Sequence, residues 1–347
     1  METTIHPPLT CGTSPRAGVT VGGSCPNSVL RRRIVRIASI ALLATVFGGP
    51  SCSIRRYAVN QVGNALAEGP SVYETDEDVE LVGEALPFGL KLVESLLVQS
   101  PNHRGLLLTA SSGFALYSYA YVDYRAEITE EADLERAGHL RDRARKLYLR
   151  GADYGFRGLE LSYPGFRQQL FTQPRQAAQI VANRRNKQKD IEFLYWTAAS
   201  LGLAISISRN DAAMLARLPE VEAMIERALE LDEDWREGAL HAFQVQLAAA
   251  RPGEPDYDAI QRHYERALQL SQGKDASLYL AYAETVAVPK QNRAEFDALI
   301  AKALAVDVDA DRNRRLLNAL AHRRAEWLRE RADELILTLE EKPGGVQ

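Results

Sequence analysis

The sequence predicts an all-α protein, a tetratricopeptide-like helical-repeat solenoid, on two observations. The first is a short apolar phrase that occurs three times, at 228–232, 267–271 and 303–307, so that consecutive copies begin 39 and 36 residues apart. A period of about 34 to 40 residues is typical of stacked helix pairs. The second is that no stretch of useful length alternates apolar and polar residues as a strand does. Chance recurrence in helices rich in Ala and Leu is the alternative to a true repeat.

The repeated phrase is interpreted as the end of a helix. It is Ala-Leu-Glu-Leu-Asp, then Ala-Leu-Gln-Leu-Ser, then Ala-Leu-Ala-Val-Asp. The small Ala allows close helix packing, Leu and Val extend the apolar stripe, and the Asp or Ser ends one helix or caps the next. A degenerate fourth copy at 95–101 closes on Pro101, which cannot extend a helix. Stacked units of this kind leave a concave surface for a ligand or partner.

Residues 1–51 are predicted to be an N-terminal extension and a lipoprotein signal peptide. Arginines at 31–33 and 36 form a basic region, 37–47 is an apolar run, and small residues at 48–51 precede Cys52. This is the order of a secretory signal, and the run is shorter than the roughly 20 residues that span a bilayer. The polar stretch 1–28 suggests that translation starts later, near Val29.

Cys52 follows the small residues directly, which resembles the lipobox of a bacterial lipoprotein. In that family the cysteine receives acyl chains and becomes the mature N-terminus. Ser51 fits the position before it, whereas Gly49 and Pro50 depart from the usual pattern. An ordinary signal peptide cut nearby and an uncleaved anchor are the alternatives. Lipidation of Cys52 is favoured, and it would tether the protein to a membrane without a transmembrane helix.

Cysteine and charge are distributed unevenly. The three cysteines are Cys11, Cys25 and Cys52, so the chain after Cys52 can form neither a disulfide nor a thiolate metal site. Residues 1–51 carry five Arg and one Glu, which leaves a net charge of −8 on the remainder against −4 on the whole chain. An acidic domain of this kind argues against nucleic acid as a partner.

From Cys52 onward the pattern predicts about a dozen helices in one all-helical domain, 52–340, followed by a disordered tail, 341–347. Residues 75–78 are predicted to start a helix, Pro87 to start or kink the next one, Asp190 to cap an apolar helix and Pro219 to open another. The further predicted helices are 104–125, 141–159, 191–207, 219–231, 237–249, 258–270, 277–287, 294–306 and 312–339, and 160–176 is a loop or short helix.

No catalytic or metal-binding motif is found in the sequence. It has no GxSxG elbow, Walker loop, GxGxxG or HExxH, and no two His lie three or four residues apart. His263, in an amphipathic helix, is interpreted as an interface residue rather than a ligand. Acidic pairs such as 130–131 and 233–234 are interpreted as caps and solvated turns rather than calcium sites. No catalytic residue, metal ligand or cofactor is assigned.

The aromatic candidates for a ligand or partner cleft are two tyrosines. Phe114, Tyr117, Tyr121 and Tyr124 recur at helical spacing, which places them on one face of a helix. They either pack in the core, which is the commoner role, or line a groove. Tyr117 and Tyr121 are kept as cleft candidates.

The polar candidates lie among apolar residues. Lys91 and Glu94 are one turn apart on an otherwise apolar helix, where they form either a simple ion pair or a polar spot in a cleft. Asn318 follows Leu317 and precedes Ala319. Its amide either ties down a neighbouring turn or belongs to the same cleft.

One long stretch and several short ones match a known pattern. The long stretch, 76–97, is an acidic cap followed by Ala-Leu-Pro-Phe-Gly-Leu-Lys-Leu-Val-Glu-Ser-Leu-Leu. The short ones are 194–196, 218–221, 264–268, 315–318 and 325–328. Together they resemble the T-component lipoproteins of TRAP transporters, often called TatT, over nearly all of 52–335. Trp196 lies in a matched stretch and is the last of the candidates for a ligand or partner cleft.

The resemblance implies an exported, lipid-anchored, all-helical protein with tetratricopeptide-like repeats. It implies a place on the periplasmic side of the envelope, with the outer membrane favoured over the inner. It also implies a homotrimer, a soluble TRAP solute-binding protein as partner and a hydrophobic small-molecule ligand.

We therefore expect a scaffold without covalent chemistry, which binds the solute-binding protein and assists capture or transfer of a hydrophobic ligand. A protein–protein assembly adaptor without a ligand is one alternative, and an unrecognised hydrolase is another.

Overall fold

A computed structural model describes residues 51–67, 72–181, 187–251 and 253–337, and the elements in these ranges are all helical. The chain divides into two compact units, 1–54 and 55–347, and the described residues from 55 onward belong to the second. The predicted signal peptide, the side chain of Cys52 and the tail 341–347 lie outside the described residues. No helix of the described ranges is long and apolar enough to cross a membrane.

The helices follow one another with short connections. They are α1 Ser51–Ala67, α2 Val79–Gln99, α3 Arg104–Tyr117, α4 Tyr124–Thr129, α5 Leu134–Glu160, α6 Phe166–Thr172, α7 Pro174–Gln179, α8 Lys187–Ser206, α9 Ala212–Leu215, α10 Leu218–Leu231, α11 Ala239–Ala248, α12 Tyr257–Ser271, α13 Ala276–Tyr282, α14 Arg293–Leu304, α15 Arg315–Glu330 and α16 Ala332–Leu335. Two π-helical turns, Ser118–Asp123 and Ala283–Ala287, follow α3 and α13 directly.

The predicted start of α2 is confirmed, whereas the predicted break within it is wrong. Asp78 caps α2 by accepting a hydrogen bond from the Leu81 N–H at 2.9 Å. Pro87 lies inside α2 and neither starts nor ends a helix. Buried apolar residues recur every three or four positions on both sides of Pro87, so one continuous stripe holds the helix together through it. These residues are Val79, Val82, Leu86, Leu90, Val93 and Leu97.

The prediction for Asp190 is wrong, and that for α5 begins too late. Asp190 lies within α8, buried, and accepts hydrogen bonds from Arg104 at 2.6 Å and from the Tyr163 hydroxyl at 2.8 Å. The local sequence predicts that this carboxylate caps a helix, but it forms a long-range ion pair instead. Helix α5 begins at Leu134 because Asp133 caps it by accepting from the Arg136 N–H.

The repeated phrase ends a helix each time. Its three copies form the last turns of α10, α12 and α14 and the residues just after them, and the degenerate copy ends α2. Ala228, Ala267 and Ala303 are buried, as expected for close helix contacts. Gly238 shows how close one contact is, because a Cβ there would lie 3.0 Å from the Ala267 Cα. In the same region α11 packs on α12, α13 on α14 and α14 on α15.

The core of the described residues consists of two main apolar clusters and one small one. The first joins α2, α3, α5, α8 and α10, and the second joins α11 through α16. The small cluster places Leu316 of α15 against Val79, Val82 and Leu86 of α2. A helix near the end of the described chain therefore packs on α2, a contact that stacking of sequence neighbours alone does not supply.

Candidate functional site

Four aromatic side chains from three parts of the chain meet near the middle of α8. Tyr195 and Trp196 belong to α8, Trp235 to the turn after α10, and Phe243 to α11. The ring of Tyr195 lies 5.0 Å from that of Trp196, 4.8 Å from that of Trp235 and 5.9 Å from that of Phe243, measured between centroids. Aromatic pairs at such separations contribute packing energy beyond their buried area.

A strained turn places a guanidinium over this aromatic cluster. Arg236 lies 6.0 Å from the Trp196 ring centroid and 5.6 Å from the Trp235 centroid, and it pairs with Glu74 at 3.2 Å. Arg236, Glu237 and Gly238 have φ values of 46°, 54° and 93°. Two successive non-glycine residues with positive φ cost about 1–3 kcal/mol each, and such strain concentrates at functional sites.

Contacts from distant segments hold the strained turn in place. Arg314 donates to the Arg236 carbonyl at 2.9 Å and pairs with Asp275 at 2.9 Å. The backbone N–H of Leu316 donates to the Glu74 carbonyl at 3.1 Å. Burial also raises the pKa of Tyr195, so its hydroxyl is neutral at pH 7. We call Glu74, Tyr195, Trp196, Trp235 and Arg236 the Arg236 site.

A second charged cluster lies between the two π-helical turns. Arg324 of α15 pairs with Glu127, just beyond the first π-helical turn, and with Glu284, within the second. Its guanidinium also lies 4.5 Å from the Trp327 ring centroid. Arg324 follows Arg314 by ten residues, which is about 15 Å along a helix. Arg314, just before α15, and Arg324, within α15, thus each form a cluster with carboxylates.

Tyr119 lies near the Arg324 cluster, whose charges act on its hydroxyl. The residue is 46% exposed, and burial raises the pKa of its hydroxyl to about 12. Nearby, burial raises the pKa of Asp123 to about 6, against the lowering effect of a hydrogen bond from Tyr148 at 3.0 Å.

The Arg236 site is equipped to bind an organic anion. Tyr195 and Trp196 are half-buried and present some apolar surface, whereas Trp235 is buried. The fixed guanidinium of Arg236 offers several N–H donors to a carboxylate. Glu74 is the present partner of Arg236, so an incoming carboxylate would share or replace that contact. In the described ranges no group of three or more His, Cys, Asp or Glu is placed to hold a metal ion.

Of the predicted cleft residues, Trp196 belongs to the Arg236 site, whereas Asn318 contacts the turn before α13. Asn318 is fully buried, accepts from the Ala276 N–H at 3.0 Å and donates to the Lys274 carbonyl at 3.0 Å. It therefore ties down the turn that starts α13, as the structural interpretation of this amide predicts, and it offers nothing to a ligand.

The other four predicted residues lie elsewhere. Tyr117 and Tyr121 stack with ring centroids 5.8 Å apart and pack against the cluster between α2 and α15. The Tyr121 hydroxyl donates to the Val79 carbonyl at 2.9 Å. Lys91 pairs with Glu94 at 2.7 Å on the surface between α2 and α5. The predicted cleft residues therefore lie in three separate places.

Sequence reasoning missed Arg236 and its surroundings. Arg236 and Glu74 are 162 residues apart, and only the strained turn brings the guanidinium to the rings. The only local signals are Trp235 and Gly238, an aromatic residue and a glycine that flank the charged residues Arg236 and Glu237. The contact of His241 with His263, whose Nδ1 atoms are 2.9 Å apart, was also missed because the residues are 22 positions apart.

The described residues thus form an all-helical protein with an aromatic and arginine cluster where α8, α11 and the turn after α10 meet. Residues 75–336 match the TRAP transporter T-component family, and the chain belongs to that family. The resemblance seen in the sequence is thereby confirmed. An uncharacterized protein of Treponema pallidum (strain Nichols) is 30% identical over 302 residues, which is 82% of this chain and 93% of the relative.

Proposed function

We propose that the protein is the periplasm-facing lipoprotein scaffold of a TRAP-type transport system. It binds the substrate-binding protein of that system and assists the capture or transfer of a hydrophobic ligand. Membership of the T-component family is the observation that carries the proposal. The family is one of transporter components, which favours a binding role over hydrolysis.

The ligand of this scaffold binds at the Arg236 site. Tyr195 and Trp196 supply the apolar surface that a hydrophobic ligand needs, the buried Trp235 packs against Tyr195, and Arg236 supplies a fixed charge for the acid group of the ligand. A transport ligand that combines an alkyl chain with a carboxylate satisfies both parts of the site.

The finer features of the proposal follow the family and the sequence. The repeated helix ends of α10, α12 and α14 support tetratricopeptide-like helix pairs. Cys52 carries the lipid anchor, with the outer membrane favoured, and the protein assembles as a homotrimer. These features rest on the lipobox-like sequence and on the family resemblance.

Intrinsic fluorescence tests ligand binding directly, because two of the three tryptophans belong to the Arg236 site. Titration with octanoate should change the emission saturably, with octanol weaker than octanoate. Arg236→Gln should weaken octanoate binding at least tenfold, while Trp327→Phe should leave the affinity unchanged. Circular dichroism of each variant checks that the fold is retained.

If Arg236→Gln leaves the octanoate affinity unchanged, octanoate does not bind at this site. If octanoate fails to bind at all and the substrate-binding protein still does, the adaptor alternative replaces ligand capture.

A further inference from the structure

A stripe of arginines runs along the outer side of α5. Arg143, Arg150 and Arg157 recur every seven residues, which is about 10 Å along the helix with a drift of only about 20° per step. They therefore form one row nearly parallel to the helix axis. We call these three residues the α5 arginine stripe.

Each guanidinium of the stripe lies over an aromatic ring. Arg143 lies 5.9 Å from the centroid of Tyr117, Arg150 lies 4.9 Å from that of Phe114, and Arg157 lies 5.1 Å from that of Tyr154. Cation–π contact restrains these long side chains. The charges are thus held in a fixed array before any partner binds, which lowers the entropy cost of association.

Positive charge on this surface exceeds negative charge. Glu94 faces the stripe, and it pairs with Arg150 and with Lys91, whose side chain is 68% exposed. Tyr154 donates to Glu94 at 2.7 Å. Burial alone would raise the pKa of Glu94, but these hydrogen bonds and charges lower it overall, so Glu94 is ionised.

The two ends of the stripe have no carboxylate partner among the described residues. Arg143 donates to the Tyr117 hydroxyl at 3.3 Å, and Arg157 donates to the Pro101 carbonyl at 3.3 Å. Asp153, the nearby acid on α5, pairs with Arg167 instead. The stripe and Lys91 therefore keep an excess of positive charge in a chain whose part after residue 51 has a net charge of −8.

We infer that the α5 arginine stripe is the docking surface for an acidic face of the TRAP substrate-binding protein. Partner carboxylates spaced about 10 Å apart, as on every second turn of a helix, would each meet one guanidinium. Charge complementarity of this kind accelerates association and selects the partner. The inference rests on the proposed function, whereas the Arg236 site remains free for the ligand.

The test measures the affinity of the substrate-binding protein from the same genome by biolayer interferometry. Arg143→Gln with Arg157→Gln should weaken binding at least tenfold at 50 mM NaCl, and the difference should shrink at 500 mM because salt screens exposed charges. The double Lys variant at the same positions should retain most of the affinity. Arg175→Gln on α7, whose side chain is 85% exposed, removes one charge elsewhere and should change nothing.

The outcomes separate this inference from the proposed function. If the wild-type protein does not bind the substrate-binding protein, the proposed function fails and the docking surface with it. If the wild type binds and the double Gln variant binds equally well, only the docking surface is wrong. Vesicles with 30% phosphatidylglycerol form a parallel arm. Loss of vesicle binding in the double Gln variant, with partner affinity intact, would assign the stripe to lipid instead.

Discussion

Three glycines of α5 let this helix lie against α3 and α8 at very short range. A Cβ at Gly151 would lie 2.9 Å from the Ser200 hydroxyl oxygen, and one at Gly155 would lie 2.9 Å from that of Ser111. A Cβ at Gly158 would overlap the ring of Phe193, which is fully buried. Small residues at these positions thus set the distance between the helices of the first core cluster.

Gly158→Ala is therefore expected to destabilise the protein by about 1–3 kcal/mol, the usual cost of overpacking a core. Gly138→Ala on the same helix is the matched control, because a Cβ there meets nothing within 4 Å. It should stabilise the protein by about 0.5–1 kcal/mol through helix propensity. Urea unfolding measures both, and equal effects of the two changes would refute the packing argument.

Asp123 is expected to make stability fall as pH rises. Burial raises its pKa to about 6 from the usual 3.8, so the folded state binds the proton more tightly than the unfolded state does. The contribution is complete below about pH 4 and is lost as pH rises through 6, with a size of about 1–3 kcal/mol.

The comparison of wild type with Asp123→Asn isolates this effect, because Asn keeps an oxygen for Tyr148. Unfolding free energies measured from pH 4 to 7 should show the wild type losing stability relative to the variant. A constant difference across that range would mean that Asp123 titrates normally.

At the scale of elements, the contact between α11 and α12 contains a histidine pair. The Nδ1 atoms of His241 and His263 are 2.9 Å apart while the ring centroids are 5.1 Å apart. The two rings therefore meet nearly head-on, as in an N–H···N hydrogen bond in which one ring donates and the other accepts. The accepting ring must be neutral for this bond to form, so protonation of both rings breaks it.

The pair is expected to make the α11–α12 contact sensitive to acid. Burial, with the neighbouring His241, lowers the pKa of His263 to about 4, and burial lowers that of His241. Stability is complete above about pH 6.5 and falls toward pH 4, because the unfolded chain binds protons first. His263→Gln should flatten this decline in thermal unfolding between pH 4 and 7. A decline as steep as that of the wild type would contradict the prediction.

Local signals predicted elements well where the determinant was local. Asp78 caps α2 and Pro219 lies in the first turn of α10, because a cap or a first-turn proline acts within a few residues. Asp190 has the same local pattern, yet Arg104 and Tyr163 bind its carboxylate. The two π-helical turns follow helices without any sequence break, so periodicity could not locate them.

At the scale of the whole described chain, α15, which belongs to the second core cluster, packs on α2, which belongs to the first. Leu316 is fully buried against Val79, Val82 and Leu86, and Arg323 pairs with Glu80 beside them. Contacts between residues more than 200 positions apart thus close the polypeptide on itself. Sequence periodicity predicts neighbouring helix pairs and carries no information on this contact.

Leu316→Ala is expected to cost about 2–5 kcal/mol, as large-to-small changes in a core do. The amides of α15 should then exchange with solvent faster, while those of α8 in the first core cluster change less. Leu81→Ala on α2, a residue that is 55% exposed, is the control and should stay within about 0.5 kcal/mol of the wild type. Uniform acceleration across both helices would show that Leu316 does not act through α15.

The candidate site was harder to predict than the fold because its residues also meet across long sequence distances. Trp196 could be selected from a matched sequence stretch, but Arg236 reaches it only through the strained turn, and Glu74 comes from far along the chain. Lys91 and Glu94, kept as cleft candidates or a simple ion pair, pair with each other, and Glu94 also pairs with Arg150 of the α5 arginine stripe. Side chains that meet across the fold leave no spacing in the sequence.

Sedimentation velocity of the protein mixed with the TRAP substrate-binding protein of the same genome shows whether the two proteins form a complex. A T component that works with this partner predicts a single faster boundary containing both proteins at 10–50 µM, on the order of ordinary transient complexes. Two boundaries that sediment as the separate proteins at these concentrations would contradict the account.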